Sequence, residues 1–549
     1  MNRWSRRLVG AATTAALTCG LTAGVPAGAE AGGGLRDYLV FYADGARDGA
    51  VAAVRAGGGT PLSTETKLGY IVARGPGARF AEALAGSDAV AGISSDRRIG
   101  FATATPAAPV STSDIRTVTL AGEEPLAGRQ WDMKMIGATA SGSHATAPGV
   151  KKVLVGVIDT GVDGRHPDIA PNFDRALSRN FVTDRPNDSN GSRLDGPCEF
   201  AGCKDPADWD DDGHGTHVAG TIASPVNGLG VAGVAPNVSL VNLRAGQDSG
   251  LFFLKPSLDA LTYAGDHGID VVNMSYYIDP WLFNCKANPR DSKAERLEQR
   301  GVITGMQRAL DYARKRGVTL VGALGNGSTD LGRPRTDVKS PDYPLDSERP
   351  RRIDNSCLNV PAESRGVVSV SALGPTGRKA PYADYGVEQA DLSAPGGDEN
   401  DGPGGPDVTR NVLAAAPEHA LRAKGLIDAG GRPVSDSVVR DCAGGTCAYY
   451  QYLAGSSMAA PHVTGVAAVI VSRFGKPGAG GLTMAPAKVE RLLYATATRK
   501  ACPSPRGYIY RDSGRKAIHV CEGSAARNGF YGRGIVNAAK AATVAEAAR

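Results

Sequence analysis

The chain has 549 residues, of which 42% are hydrophobic and 21% are charged, and its formal net charge is +5 at pH 7. This composition is typical of a globular protein with a large apolar core, and the length predicts roughly two to four structural units. So small a net charge argues against an electrostatic partner such as nucleic acid or an anionic membrane.

The N-terminus has the pattern of a signal peptide. Three arginines within the first seven residues precede an apolar stretch from Leu8 to Val25, and small residues follow at Ala27-Gly28-Ala29. We therefore expect residues 1–31 to be removed on export and the protein to be secreted. A transmembrane anchor is the alternative for this stretch, but Gly, Thr and Ala dominate it. No later run is apolar enough to span a bilayer, so we expect no membrane anchor.

Residues 36–100 predict a small α+β unit. Short apolar strands alternate with helix-like stretches, the strands at 38–42, 68–73 and 89–93 and the helices at 45–56 and 78–85. This order is typical of a split β-α-β, or ferredoxin-like, sandwich. Residues 101–129 are then rich in Thr, Ala, Pro and Ser without periodicity, which predicts a linker that a protease can reach.

The longer part of the chain predicts a doubly wound α/β domain. Val153 to Ile158 is a continuous apolar run, typical of a strand buried on both faces of a parallel sheet. Similar runs occur at 238–243, 270–274, 318–324 and 367–372, with helix-like stretches at 217–223, 256–267 and 305–316. Strand and helix in alternation predict a mostly parallel sheet with helices on both faces. Sites in such sheets lie at the carboxyl ends of the strands.

The cysteines predict disulfides. An even set remains once Cys19 of the signal peptide is set aside, as expected for an exported chain. Proximity suggests Cys198 with Cys203, Cys442 with Cys447, and Cys502 with Cys521, which leaves Cys285 with Cys357. A metal site is the competing interpretation, but no C-x-x-C spacing occurs.

Leu453 to Gly465 reads L-A-G-S-S-M-A-A-P-H-V-T-G and places Ser456 and Ser457 before good helix formers. A helix N-terminus offers unpaired N–H groups and a partial positive charge, which favour an oxyanion formed beside them. Serine is also a preferred N-cap residue, so this stretch alone does not separate a nucleophile from a cap.

Three other polar residues occupy comparable places. Asp159 ends the first buried strand, where a carboxylate can orient an imidazole, although a turn or cap is the ordinary role of such a residue. His214 stands at a glycine-flanked helix start; His217, three residues later, leaves a metal pair as an alternative, although no H-E-x-x-H pattern occurs. Asn326 follows another buried strand and can donate to an oxyanion or simply form a turn.

In chain order these segments read V-I-D-T-G, H-G-T-H-V-A-G, G-N and G-S-S-M-A-A-P-H. The set resembles the subtilisin-like serine proteases and covers roughly residues 130–540, within a peptidase domain at 130–549. The resemblance implies that Ser457 is the nucleophile, His214 the general base and then acid, and Asp159 its orienting carboxylate. It places Asn326 and the Ser457 N–H in the oxyanion hole. Ser456 stands where the family usually has threonine, and His217 and His462 match structural positions.

The same resemblance implies that residues 36–100 are an inhibitory propeptide, with a maturation site in the linker at 101–129. A stable accessory domain is the alternative. Catalysis in the family needs no cofactor. Gln130, Asp168 and the loop Pro225–Val231 with Asn227 match positions that bind a structural calcium ion in many members, although Pro225 and Val226 depart from the usual loop.

Departures from the family pattern concern specificity. Where members often have S-x-G-G, this chain has Ser275-Tyr276-Tyr277-Ile278. The resemblance implies that Ser275, Tyr276 and Tyr277 bind substrate, and we expect Tyr277 and Ile278 to narrow or reshape the primary substrate pocket. Long inserts at about 279–300, 330–359 and 397–452 also predict restricted access. The sequence therefore predicts a secreted, monomeric serine endopeptidase that acts on peptides or proteins and is inhibited by its own propeptide. The alternatives are a non-catalytic peptide-binding scaffold and a maturation protease of narrow specificity.

Overall fold

The computed structural model describes residues 35–95, 105–106, 123–188, 191–478, 480–512 and 515–545. The predicted signal peptide and most of the predicted linker lie outside these residues. Among the helices that are described, none combines the length and the apolar character needed to cross a membrane.

The N-terminal unit is a small α+β unit, as the sequence predicts, and consists of a four-stranded antiparallel sheet covered by two helices. Its elements are β1 (Leu35–Tyr42), α1 (Arg47–Ala56), β2 (Thr60–Glu65), β3 (Tyr70–Pro76), α2 (Gly77–Leu84) and β4 (Val90–Ser95), with strand order β2-β3-β1-β4. Its core includes Val40, Val54, Ile71 and Phe80. Strand β2 has no counterpart in the sequence prediction because it buries no residue fully and so carries no apolar pattern.

The large unit is built on a seven-stranded parallel sheet with the order β16-β15-β11-β9-β6-β8-β7. These strands are β6 (Leu154–Ile158), β7 (Arg179–Asn180), β8 (Ser239–Arg244), β9 (Val271–Met274), β11 (Thr319–Ala323), β15 (Val367–Leu373) and β16 (Leu392–Pro395). The doubly wound α/β prediction is confirmed.

Nine helices occur in the described part of this unit: α3 (Trp131–Ile136), α4 (Ser143–Thr146), α5 (His214–Ala223), α6 (Leu254–Asp266), α7 (Lys293–Lys315), α8 (Glu418–Ala423), α9 (Ser456–Phe474), α10 (Pro486–Thr496) and α11 (Ala538–Thr543). Short antiparallel strands decorate it: β5 (Thr105–Pro106), β10 (Asn284–Cys285), β12 (Thr336–Asp337), β13 (Arg351–Arg352), β14 (Cys357–Leu358), β17 (Val412–Ala415), β18 (Val438–Ala443), β19 (Thr446–Ala454), β20 (Lys476–Gly478), β21 (Gly481–Thr483), β22 (Gly507–Asp512) and β23 (Arg515–Val520).

Strand β6 shows why the sheet is covered on both sides. Its alternate residues Val155 and Val157 belong to the apolar cluster that contains α5 and α9, whereas Leu154 and Ile158 belong to the cluster that contains α6 and α7. Because side chains alternate between the faces of a strand, a continuous apolar run requires apolar partners on both faces.

Helix α7 begins earlier in the chain than the sequence predicts. Residues 293–300 were assigned to a loop insert, but the helix starts at Lys293 with a capping box in which Ser292 and Glu295 bond reciprocally. The S-x-x-E spacing was the available sign of this start.

All four predicted disulfides are present, joining Cys198 to Cys203, Cys285 to Cys357, Cys442 to Cys447 and Cys502 to Cys521.

The N-terminal unit packs on α7. A Cβ added to Gly301 would lie 2.1 Å from the carbonyl oxygen of Ile93 in β4, so the two backbones touch. Arg308 donates to the carbonyl oxygens of Tyr42, Leu68 and Gly69 at 2.9 to 3.2 Å. These contacts hold the N-terminal unit against helix α7 of the large unit.

Candidate active site

The sheet brings the predicted site residues to one edge. Asp159 directly follows β6 and Ser275 directly follows β9, and these strands pair in register with Ile158 opposite Met274. Strand β11 lies on the other side of β9, with Gly322 opposite Met274, and leads to Asn326. The helices α5 and α9 begin at His214 and at Ser456, next to Ser457. Carboxyl ends of strands and N-termini of helices thus meet at one place.

Asp159 and His214 form a direct pair. The Nδ1 atom of His214 donates to Oδ1 of Asp159 at 2.6 Å, and the Thr160 N–H donates to the same oxygen at 2.8 Å. Both side chains are buried, 0% and 3% exposed. Burial opposes the charged imidazole, but the Asp159 carboxylate together with Asp212 and Asp210 outweighs burial and raises the pKa of His214 above its ordinary value. The pair can therefore accept and stabilise a proton on the other ring nitrogen.

Asp210 holds the start of α5 and was missed by sequence reasoning. Its Oδ1 accepts from the Gly213 N–H at 2.9 Å and from the Thr160 hydroxyl at 3.0 Å, and its Oδ2 accepts from the Thr216 N–H at 2.9 Å. An acidic residue that binds free N–H groups stabilises a helix N-terminus. Asp210 therefore fixes the backbone that carries His214, and the only sign in the sequence was a run of aspartates.

Ser457 is held by Ser275. The Ser457 hydroxyl donates to the Ser275 carbonyl oxygen at 3.2 Å, and the Ser275 hydroxyl donates to the Ser457 carbonyl oxygen at 3.0 Å. The Nε2 atom of His214 is buried and makes no hydrogen bond in the described structure. The serine hydroxyl must therefore turn from Ser275 toward His214 before the imidazole can take its proton. Such bonds are often loose without substrate.

Asn326 is oriented by Ser456. The side-chain oxygen of Asn326 accepts from the N–H and from the hydroxyl of Ser456, both at 2.8 Å, and the Ser456 hydroxyl accepts from the Gly325 N–H at 3.1 Å. Because these bonds hold the amide oxygen, they also fix the direction of the amide N–H₂ group. Ser456 thus has a positioning role that the motif alone did not reveal.

The Subtilase family model (Peptidase_S8) matches residues 150–525. The chain belongs to the subtilase family. Fervidolysin of Fervidobacterium pennivorans is 29% identical over 388 residues, which are 68% of this chain and 41% of that protein. Subtilisin DY of Bacillus licheniformis is 25% identical over 346 residues, 63% of this chain and 84% of that protein. The chain thus spans less than half of the length of fervidolysin and most of the length of subtilisin DY.

A solved structure of an epidermin leader peptide processing serine protease from Staphylococcus aureus has the same fold. It aligns with a TM-score of 0.58 at 22% identity and covers 93% of this chain and 98% of that chain.

The segment that the sequence predicts to bind substrate buries both of its tyrosines in this subtilase. The Tyr276 ring stacks on Phe252 with centroids 4.1 Å apart, and the Tyr277 hydroxyl donates to Asp342 at 3.1 Å. Both rings are less than a tenth exposed. Both tyrosine side chains are therefore held by other parts of the protein.

The three predicted calcium ligands lie together but bond to protein groups. Gln130 exchanges two hydrogen bonds with the backbone of Ala232. Asp168 accepts from the Asn227 side chain at 3.1 Å and from the Val231 N–H at 3.2 Å, and the Asn227 oxygen accepts from the Leu229 N–H. Burial raises the pKa of Asp168 to about 8. In this arrangement each of these oxygens accepts a hydrogen bond from a protein donor.

The other two family-matched histidines are structural. The Nε2 atom of His217 bonds the carbonyl oxygens of Val412 and Gln451, each at 3.0 Å, and burial lowers the pKa of His217 to about 3. The Nε2 atom of His462 and a carboxylate oxygen of Asp132 form a second buried pair, 3.1 Å apart. His217 therefore joins backbone strands and does not share a metal with His214.

Proposed function

We propose that this subtilase cleaves peptide bonds through an acyl-enzyme on Ser457, with His214 as general base and acid and Asp159 as its orienting carboxylate. The observation that carries the proposal is the buried hydrogen bond of 2.6 Å between Asp159 and His214. It leaves Nε2 of the imidazole as the proton acceptor and stabilises the imidazolium that forms.

The mechanism follows from these groups. As Ser457 Oγ attacks the substrate carbonyl, its proton passes to His214 Nε2, and the carbonyl oxygen becomes an oxyanion beside the Asn326 amide and the Ser457 N–H. His214 then gives the proton to the departing amine, and the acyl-enzyme forms. Water repeats the sequence and releases the acid. A non-catalytic scaffold is disfavoured because each of these groups is present.

Replacing Asn326 tests the oxyanion hole. We expect Asn326→Ala to lower kcat by about 10²- to 10³-fold with little change in KM, because the lost donor acts on charge that exists only in the transition state. Asn326→Asp is the matched control: it keeps the acceptor for Ser456 but removes the donor, so it should lose as much. A loss below about threefold in the alanine variant would remove Asn326 from the oxyanion hole.

We also propose that the protein is made as a self-inhibited precursor and secreted. The predicted boundaries are a signal peptide at 1–31, an inhibitor at 36–100, a linker with the maturation site at 101–129 and the peptidase domain at 130–549. Supporting this, β5 pairs with β19, with Thr105 opposite Ala454, three residues before Ser457. The chain that leaves the N-terminal unit thus runs beside the strand that enters the nucleophile segment. The disulfides suit an oxidising compartment.

Gly301 tests the inhibitory contact. In Gly301→Leu the new side chain would meet the backbone of Ile93, so we expect the precursor to show at least roughly tenfold more initial activity, equal to about 1.4 kcal/mol of lost binding. Arg308→Ala is a milder variant of the same interface. The measurement is peptide hydrolysis by fresh precursor and by mature enzyme. Unchanged latency in both variants, with normal mature enzymes, would argue for an accessory domain.

A narrow-specificity maturation protease is the second candidate. It is favoured by the bond between Tyr277 and Asp342, which closes the segment after β9 against an insert, and by the fold neighbour described as processing a leader peptide. Cleavage of a peptide library by the mature enzyme separates it from a broad endopeptidase. We further propose that the mature enzyme is a monomer.

Calcium at Gln130, Asp168 and Asn227 stays a prediction. The hydrogen bonds of these residues favour a loop closed by protein groups, and no catalytic step involves an ion there.

A further inference from the structure

The backbone on either side of Asn326 is held in conformations that most residues avoid. We call residues 325–331 the Asn326 loop. In this loop Gly325 has a φ of +130°, and Ser328, which carries a side chain, has a φ of +57°. Conformations of this kind persist only where the surrounding structure holds them. The direction of the Asn326 amide therefore depends on the groups that hold this backbone.

A second segment holds the Asn326 loop through backbone hydrogen bonds. We call residues 382–385, which lie between β15 and β16, the support segment. The Asp384 N–H donates to the Gly325 carbonyl oxygen at 2.9 Å, and the Ser328 N–H donates to the Tyr382 carbonyl oxygen at 2.7 Å. Two further backbone bonds join the same segments, from Tyr385 to Thr329 at 3.0 Å and from Leu331 to Tyr385 at 2.7 Å. The Asn326 loop is thus shaped by the support segment.

The side chain of Asp384 contacts the loop both before and after Asn326. Its Oδ1 atom accepts from the Thr329 N–H at 2.7 Å, and a hydrogen bond from the Gly327 backbone also favours the carboxylate. A Cβ added to Gly325 would lie 2.2 Å from Asp384 Oδ2, so the carboxylate packs directly against that backbone. One buried carboxylate therefore holds both ends of the short stretch that carries the amide.

Lys379 supplies the counter-charge of Asp384. Both side chains are buried, 0% and 2% exposed. The Lys379 Nζ atom donates to the carbonyl oxygens of Ala380 and Ala383 at 2.7 and 2.6 Å, and it lies 4.9 Å from the centre of the Tyr385 ring. Burial lowers the pKa of Lys379 to about 7 and raises that of Asp384 to about 7, while each charge favours the other. The carboxylate is thus balanced within the protein.

We propose that Asp384 is a positioning residue for the Asn326 amide. The inference rests on the oxyanion hole of the proposed function, and Asp384 itself does not touch the substrate. Ser456 holds the amide oxygen of Asn326, and Asp384 holds the backbone that carries it. A donor stabilises an oxyanion only if it already points to the place where the charge forms. A displacement of about 1 Å can cost on the order of 10²-fold in rate.

The test is a double-mutant cycle of Asp384 and Asn326, measured as kcat per folded mature enzyme. We expect Asp384→Ala to lower kcat by about 10- to 100-fold and to change KM by less than about twofold, because a misdirected donor affects the transition state alone. In Asn326→Ala, which has no amide to direct, the same change should cost less than about threefold.

Asp401→Ala is the matched control. The Asp401 carboxylate is 4% exposed and holds another turn between β15 and β16's following loop, where it accepts from the Thr376 N–H at 2.8 Å and from the Thr376 hydroxyl at 2.7 Å. Both alanine variants should lower the melting temperature, since each leaves buried donors unpaired. Only Asp384→Ala should lower kcat.

Asp384→Asn covers the case in which Asp384→Ala does not fold. It keeps one oxygen for the Thr329 N–H, but it replaces the second oxygen by an N–H₂ group and removes the negative charge. We expect a loss in kcat of about 3- to 10-fold that disappears in Asn326→Ala.

An unchanged kcat in the Asp384 variants, or an equal loss with and without the Asn326 amide, would overturn the positioning role and leave the proposed function intact. A wild-type kcat in Asn326→Ala alone would instead overturn the oxyanion hole, and the positioning role with it. The two failures are therefore distinguishable.

Discussion

Ser457→Ala is expected to abolish peptide hydrolysis and conversion of the precursor together. The hydroxyl is the only group in the mechanism that bonds covalently to the substrate, and loss of the serine from a subtilisin triad costs on the order of 10⁶-fold in turnover. The measurements are hydrolysis of a peptide substrate and the chain length of the purified protein. Precursor that is still cut at wild-type rate would show that another protease matures it.

Ser456→Ala is the matched control for that result. It removes a hydroxyl one residue away, yet the Ser456 N–H still donates to Asn326. We expect a loss of roughly tenfold or less, consistent with one hydrogen bond. If Ser456→Ala abolishes hydrolysis and Ser457→Ala does not, the nucleophile has been assigned to the wrong serine.

Asp159→Asn is expected to lower turnover by about 10⁴-fold, because an amide no longer holds the imidazole in the required tautomer. It should also move the acid limb of the kcat/KM profile to lower pH. His214 acts as a base only when neutral, so activity falls as pH drops through its pKa. The Asp159 carboxylate raises that pKa, and its removal lowers it.

Asp132→Asn is the control for the pH profile. It makes the same change in the other buried pair of an aspartate and a histidine, Asp132 with His462. We expect a lower melting temperature with the acid limb in its original place. If the acid limb of the kcat/KM profile does not move in Asp159→Asn, or moves to higher pH, that limb reports the titration of a group other than His214.

The sequence predicted most of the framework because the parallel strands are buried on both faces. An apolar run such as Leu154–Ile158 is stable only when it is buried. The site residues come after the carboxyl ends of those buried strands. Strand β2 was not predicted because it is held by backbone pairing to β3 and has no apolar face. Backbone pairing of this kind leaves no mark in the pattern of the side chains.

The finer site features depend on contacts between distant segments. Tyr276 was predicted as a substrate-binding residue from its place in the segment alone, and its ring stacks on Phe252 of another loop. The bond between Ser456 and Asn326 joins residues 130 positions apart, and Asp210 meets the Thr160 hydroxyl only when α5 lies against β6. Such partners are chosen by the fold, so residue types and spacing alone could not supply them.

The most direct test of the central claim is to label the mature enzyme with a phosphonate that reacts with activated serines and to map the modified peptide by mass spectrometry. We predict one phosphonyl group on Ser457, formed with loss of activity, and no labelling in His214→Ala at the same exposure. Complete inactivation with the label on Ser456 or elsewhere, or full activity after Ser457 is modified, would contradict the assignment of Ser457 as the nucleophile.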